Sequence, residues 1–202
     1  MKPRVKICGI TRIEDARLAV DLGASVLGFV FWPESPRFIP PEAARDIVEA
    51  VPPEVVCVGV FVDQDAGYVR RTSGEVPLGA VQLHGDESME FAAGLMTPVI
   101  KAVPIRDGFD PASLDLLPST ITVLLDAHDP SRRGGTGRTI DWQLAREAAR
   151  RRPIVLAGGL TPENIAAAVD AVAPYAVDVS SGVESAPGIK DPDKMTAFFK
   201  AL

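Results

Sequence analysis

The residues best placed for chemistry stand at the ends of short apolar runs. "KICGIT" (Lys6–Thr11) sets Cys8 directly before a glycine, "QLHGDE" (Gln82–Glu87) carries His84, and "LLDA" (Leu124–Ala127) carries Asp126. Thiol, imidazole and carboxyl groups move protons at neutral pH when burial and neighbouring charge tune them. A thiol is a useful base only if its pKa is lowered, and Lys6, two residues before Cys8, is a cation that would lower it. Each residue also has a plainer reading. A strand-end cysteine is often a small buried hydrophobe, an aspartate there caps the next loop, and a histidine bonds a loop carbonyl. Cys57, the other cysteine, lies inside "VVCVGVF" and reads as core; His128 sits in a charged loop and reads as surface.

Glycine-bearing segments mark a second kind of chemistry. "RGGTGRT" (Arg133–Thr139), "AGGLTPEN" (Ala157–Asn164) and "DVSSGVE" (Asp178–Glu184) each follow an apolar run late in the chain. Gly158 and Gly159 allow close backbone approach to a ligand, and a helix starting after them offers free N–H groups and a positive dipole end. Ser180, Ser181 and Gly182 add hydroxyl and amide donors, so the pair of segments reads as a phosphate site. The plainer reading is that these glycines only make tight turns.

The elements that must position these groups alternate from end to end. Strands are expected at Arg4–Cys8, Ser25–Val30, Val55–Phe61, Gly79–Leu83, Pro98–Ala102, Ile121–Leu125, Ile154–Ala157 and Ala176–Val179. Amphipathic helical patterns cover Glu14–Leu22, Pro41–Ala50, Glu87–Leu95, Trp142–Arg151, Pro162–Val172 and Pro192–Ala201, with weaker ones at Asp65–Arg71 and Pro111–Leu117. Thr161-Pro162-Glu163 and Asp191-Pro192-Asp193 carry a cap, an N1 proline and an acidic first turn. Strand–helix alternation implies right-handed parallel crossovers, and about eight strands point to a closed (β/α)8 TIM barrel spanning residues 1–202 as a single domain. An open doubly wound sheet is the rival.

Barrel chemistry sits at the carboxyl ends of the strands. Alternation along each strand turns Lys6 and Cys8, Gln82 and His84, Thr122 and Asp126, and Asp178 and Ser180 inward, with their Val, Ile and Leu neighbours facing the helices. Barrel closure makes the first and eighth strands neighbours, so Lys6 and Asp178 are expected to pair.

Composition excludes several classes. The 21 basic and 27 acidic residues leave a net charge of −6, which argues against a nucleic-acid footprint. The densest basic run, Arg150-Arg151-Arg152, closes a helical pattern and reads as a solvated helix C-terminus. The apolar run Val26–Trp32 is far short of a membrane span, and the first residues lack the pattern of a secretory signal. Two cysteines in unlike contexts form no disulfide framework, so a reduced, cytoplasmic protein is expected.

The ordered set "KICGIT", "SPRFI" (Ser35–Ile39), "VGVF" (Val58–Phe61), "QLHGDE", "LLDA", "GGTGRTIDW" (Gly134–Trp142), "LAGGL" (Leu156–Leu160) and "DVSSGVE…PGIKD" resembles the phosphoribosylanthranilate isomerase family over essentially the whole chain. The resemblance implies a cofactor-free, metal-free Amadori rearrangement of N-(5′-phosphoribosyl)anthranilate in tryptophan biosynthesis. It assigns Cys8 as general base, Asp126 as general acid and Arg37 to the anthranilate carboxylate. From their inward positions His84 reads as an alternative acid or a substrate contact, and Asp178 as a structural partner of Lys6 or a sugar contact. Phe31, Trp32 or Phe38 would stack on the aromatic ring. The implied partner is a small sugar phosphate, with no nucleic acid or membrane, and the chain a monomer or homodimer. The rivals are the analogous isomerase of histidine biosynthesis, which resembles a barrel with aspartate at the place of Cys8, a bifunctional relative, and a barrel that binds without catalysis.

Overall fold

The computed structural model describes residues 2–127 and 141–202. Eight parallel strands close into a barrel in chain order: β1 (Arg4–Cys8), β2 (Val26–Val30), β3 (Val56–Phe61), β4 (Ala80–Leu83), β5 (Val99–Ile105), β6 (Thr122–Ala127), β7 (Ile154–Leu156) and β8 (Ala176–Val179). The seam pairs β1 with β8 and sets Lys6 opposite Asp178. The helices are α1 (Ile13–Asp21), α2 (Pro41–Glu49), α3 (Ala66–Glu75), α4 (Met89–Ala93), α5 (Trp142–Arg151), α6 (Ile165–Val172) and α7 (Pro192–Ala201), with a 3₁₀ helix over Pro111–Leu116 between β5 and β6. After β8 a short 3₁₀ turn (Ser181–Val183) leads into a two-stranded hairpin, β9 (Glu184–Ala186) and β10 (Ile189–Lys190).

The strand alternation read from the sequence is the alternation of the barrel. Val5, Ile7, Val81, Leu83, Val123, Leu125, Val177 and Val179 are buried against the helices. A smaller apolar cluster inside the barrel, built on Ile100, Ala102, Leu124, Val155, Ala157 and Ala176, fills its interior. Thr122, on the inner parity, is exposed at the start of β6. The inward positions nearer the carboxyl ends are polar and buried: Lys6, Gln82, Asp126 and Asp178.

Some elements depart from expectation for local reasons. β5 continues three residues past Ala102, because Val103, Pro104 and Ile105 stay in register with Leu125, Asp126 and Ala127. The weak pattern at Asp65–Arg71 is a full helix to Glu75, capped by the Asp65 carboxylate accepting the Tyr68 N–H and buried through Val69 and Thr72. Tertiary burial there overrides the poor helix preference of Thr72-Ser73-Gly74. The α4 helix is shorter than its pattern and starts at the Ser88 cap. Asp191 caps α7 as expected, whereas α6 begins only at Ile165, after a turn in which the Asn164 side chain accepts the Thr161 N–H. Of the Arg150–Arg152 run, Arg150 and Arg151 are exposed in the last turn of α5 as expected, Arg151 pairing with Asp115 at the surface, whereas Arg152 is half-buried and donates to the carbonyls of Leu114, Leu117, Pro118 and Ile121.

Candidate active site

The first strand delivers Cys8 to the barrel mouth, where it packs with Val30, Val60 and Trp32. Across the ladder Cys8 faces Gly28, and a Cβ there would lie 2.8 Å from Sγ and 3.1 Å from the Lys6 ammonium. Gly28 therefore makes the space in which thiol and ammonium meet. Lys6 Nζ donates to Asp178 Oδ1 at 2.9 Å, as barrel closure requires. Burial opposes the Lys6 charge, but the Asp178 carboxylate and the thiol outweigh it and hold the ammonium above its ordinary pKa.

The expected lowering of the Cys8 pKa is not found. Burial pushes the thiol up, and Lys6 counters this only in part because its charge is shared with Asp178. Cys57 is core as read, with its thiol pushed up to about 11 by burial.

Asp126 comes in on β6. Its Oδ1 accepts the Ala127 N–H at 2.8 Å, and its Oδ2 lies 3.0 Å from His84 Nε2. The other ring nitrogen of His84 is 2.8 Å from the Gln82 amide nitrogen, so Gln82, His84 and Asp126 form one chain from β4 to β6. With the amide donating to Nδ1, the ring proton sits on Nε2 and points at the carboxylate. Gln82 Oε1 is buried without a partner among the described residues.

Arg37, from the β2–α2 segment, faces the same mouth. Its guanidinium is already held: Nε donates to Glu184 Oε1 at 2.9 Å and Nη2 to Oε2 at 2.7 Å. This fork leaves Nη1 without a protein partner among the described residues. Glu184 also takes the Lys190 ammonium, and although burial raises its pKa, the two cations bring the net shift below the ordinary value. Sequence reasoning missed Gln82 as a link, and Gly28, Glu184 and Lys190 entirely. The quoted "PGIKD" contained Lys190, but nothing local marked it as buried.

At the far strands, Gly158 and Gly159 turn the chain with φ of +82° and +64°, a backbone glycine adopts without strain. No backbone carbonyl among the described residues accepts from either N–H. Gly182 packs so closely on Leu160 that a Cβ would strike its carbonyl oxygen, which locks the β7 and β8 loops together. The Ser180 hydroxyl is buried with no partner among the described residues. The helix after Gly159 begins only at Ile165, so its first turn is set back from the two glycines.

One cavity of about 590 Å³ gathers Cys8, Arg37, His84, Asp126 and Asp178 with Gly158, Gly159, Ser180, Ser181 and Gly182. Of the aromatic candidates only Trp32 lines it; Phe31 is buried against Phe61, and Phe38 is half-buried elsewhere. The segment Arg133–Thr139 and His128 lie outside the described residues. Among the described residues no cluster of His, Cys, Asp and Glu could hold a metal ion, and no helix is long and apolar enough to cross a membrane.

A closed parallel barrel whose strand ends converge on one polar cavity is the architecture of a (β/α)8-barrel enzyme. Residues 5–201 match the family model for N-(5′-phosphoribosyl)anthranilate (PRA) isomerase. The N-(5′-phosphoribosyl)anthranilate isomerase of Geobacter metallireducens is 51% identical over 199 residues, covering 98% of this chain and 97% of that one. A crystal structure of phosphoribosylanthranilate isomerase in complex with reduced 1-(o-carboxyphenylamino)-1-deoxyribulose 5-phosphate superposes with a TM-score of 0.87, at 43% identity and with 99% and 98% coverage. Monomers generated from the dimeric phosphoribosylanthranilate isomerase of Thermotoga maritima match with the same TM-score, identity and coverage. The chain belongs to the N-(5′-phosphoribosyl)anthranilate isomerase family.

Proposed function

We propose that this chain, as a single barrel domain in the cytoplasm, isomerises N-(5′-phosphoribosyl)anthranilate to 1-(2-carboxyphenylamino)-1-deoxyribulose 5-phosphate in tryptophan biosynthesis, acting as a monomer or homodimer. The observation that carries the reading is the shared cavity, in which a thiol, a carboxyl, a guanidinium and two amide-bearing loops face one ligand-sized space. The reaction needs only proton transfers, and no cofactor. Asp126, as the acid, protonates the furanose ring oxygen; the C1′–oxygen bond breaks and the nitrogen lone pair closes a C1′=N iminium. Cys8, as thiolate, takes the C2′ proton, and the released electron pair runs to the iminium to give the enolamine. Protonation at C1′ with loss of the C2′ hydroxyl proton yields the ketose, so no atom is gained or lost.

The remaining groups hold the ends of the substrate. Arg37 Nη1, left over from the Glu184 fork, takes the anthranilate carboxylate, while Trp32 lies where it can cover the ring. Gly158, Gly159, Ser180, Ser181 and Gly182 take the phosphate, and Asp178 and His84 line the sugar between. Turnover of substrate generated in situ, with the product resolved by chromatography and identified by NMR as the ketose, tests the reading. Binding of the product analogue without turnover would mean a barrel that grips but does not isomerise.

A further inference from the structure

The hairpin after β8 places a lysine where no solvent reaches it. Lys190 Nζ is fully buried and donates to the Cys8 carbonyl at 2.6 Å, the Ser180 carbonyl at 3.3 Å and Glu184 Oε1 at 2.9 Å. All three ammonium hydrogens are thereby used. The acceptors belong to the end of β1, the end of β8 and the carboxylate that forks Arg37. The Lys190 N–H donates to buried Asp15 at 3.0 Å, and the Thr11 hydroxyl donates to the Gly188 carbonyl, so the hairpin is tied to the β1–α1 segment at two further points. A buried ammonium is costly to keep, and an apolar side chain would fill the same space without that cost. The Lys190–Glu184–Arg37 row carries two positive charges and one negative, and a substrate carboxylate at Arg37 would complete its alternation.

We propose that Lys190 is a positioning residue for the isomerisation: through the Cys8 carbonyl and the Glu184 carboxylate it fixes the distance between the thiol and the Arg37 guanidinium, and so holds both ends of one substrate in register. This rests on the functional reading given above for Cys8 and Arg37. The charges that face the Cys8 thiol are Lys6 from its own strand, Asp178 from β8 and Lys190 from β10. Lys190 is the one of these whose charge is neutralised through the recognition end of the site.

Two substitutions with opposite electrostatic effects separate positioning from stapling. In Lys190→Met the thiol loses a cation, so the pH midpoint of Cys8 alkylation by iodoacetamide rises, and kcat/KM falls by ~100-fold as both ends drift. In Glu184→Gln the Lys190 charge is no longer offset, so the midpoint falls, while KM rises by about tenfold because the Arg37 fork loses its charge assistance. A generally loosened protein would move both midpoints the same way, toward that of a free thiol. A folded Lys190→Met protein with wild-type kcat/KM and alkylation midpoint overturns the proposal. Should Lys190→Met not fold, Glu184→Gln decides alone: wild-type KM and midpoint overturn it. The alkylation midpoints need no substrate, so a wild-type protein that fails to isomerise would refute the functional reading while leaving the coupling of Lys190 to Cys8 separately measured.

Discussion

Replacing Lys6 by Met should destabilise the barrel severely, and the size of the loss follows from its surroundings. The Lys6–Asp178 ion pair is 2.9 Å long, with side chains 3% and 9% exposed. At an effective dielectric constant of ~20 the attraction across such a contact is on the order of 6 kcal/mol, comparable to the several kcal/mol needed to desolvate each ion. The intact pair therefore contributes little net stability, but removing one partner strands the other. Lys6→Met leaves Asp178 buried and uncompensated, at a cost of about 3–5 kcal/mol. With a urea m-value of ~2 kcal/mol/M, the unfolding midpoint should fall by roughly 1.5–2.5 M. The double variant Lys6→Met/Asp178→Leu should recover most of that loss, because no buried charge remains. The pH dependence has a definite sign. Lys6 is held above its ordinary pKa, so its contribution is complete below the unfolded value of about 10.4 and fades as pH rises through the higher folded value. A single variant losing less than about 1 kcal/mol, or a double variant as unstable as the single, would refute the reasoning.

Three further outcomes are expected. Arg37→Ala should raise KM by the equivalent of about 1.5–3 kcal/mol, measured by steady-state turnover, and an unchanged KM would place the carboxylate elsewhere. Gly28→Ala drives a methyl to within 2.8 Å of the Cys8 sulfur, so thermal melts should register ~1–3 kcal/mol of overpacking and turnover should fall with it. Alkylation followed by peptide mapping should show both thiols slow at neutral pH, because burial raises each; Cys8, at the cavity wall, should label as pH rises before Cys57 and be protected by the product analogue.

Much of the barrel was legible because parity is a local property. Val5 and Ile7 flanking Lys6, and Val177 and Val179 flanking Asp178, already say which side chains point inward, and closure then brings Lys6 to Asp178. Cys8, His84 and Asp126 were legible for the same reason, as polar groups ending apolar strands. What escaped depends on contacts far apart in sequence. Glu184 meets Arg37 across 147 positions and Lys190 meets the Cys8 carbonyl across 182, with no periodicity to announce either. Gly28 looked like any strand glycine until the register set it against the sulfur. The thiol's pKa was misjudged because sequence shows the cation at Lys6 but not the depth of burial, which outweighs it.

Cys8 and Asp126 are proposed as the base and acid of one cavity. The most direct measurement is turnover of N-(5′-phosphoribosyl)anthranilate by the wild type, Cys8→Ser and Asp126→Asn, with binding of the reduced product analogue titrated in the same samples. The wild type should isomerise the substrate, and each variant should lose ~10²-fold or more in kcat while binding the analogue nearly as well. A variant that keeps near-normal kcat would contradict its assignment, and for Asp126 would move the acid's role to His84, its hydrogen-bond partner.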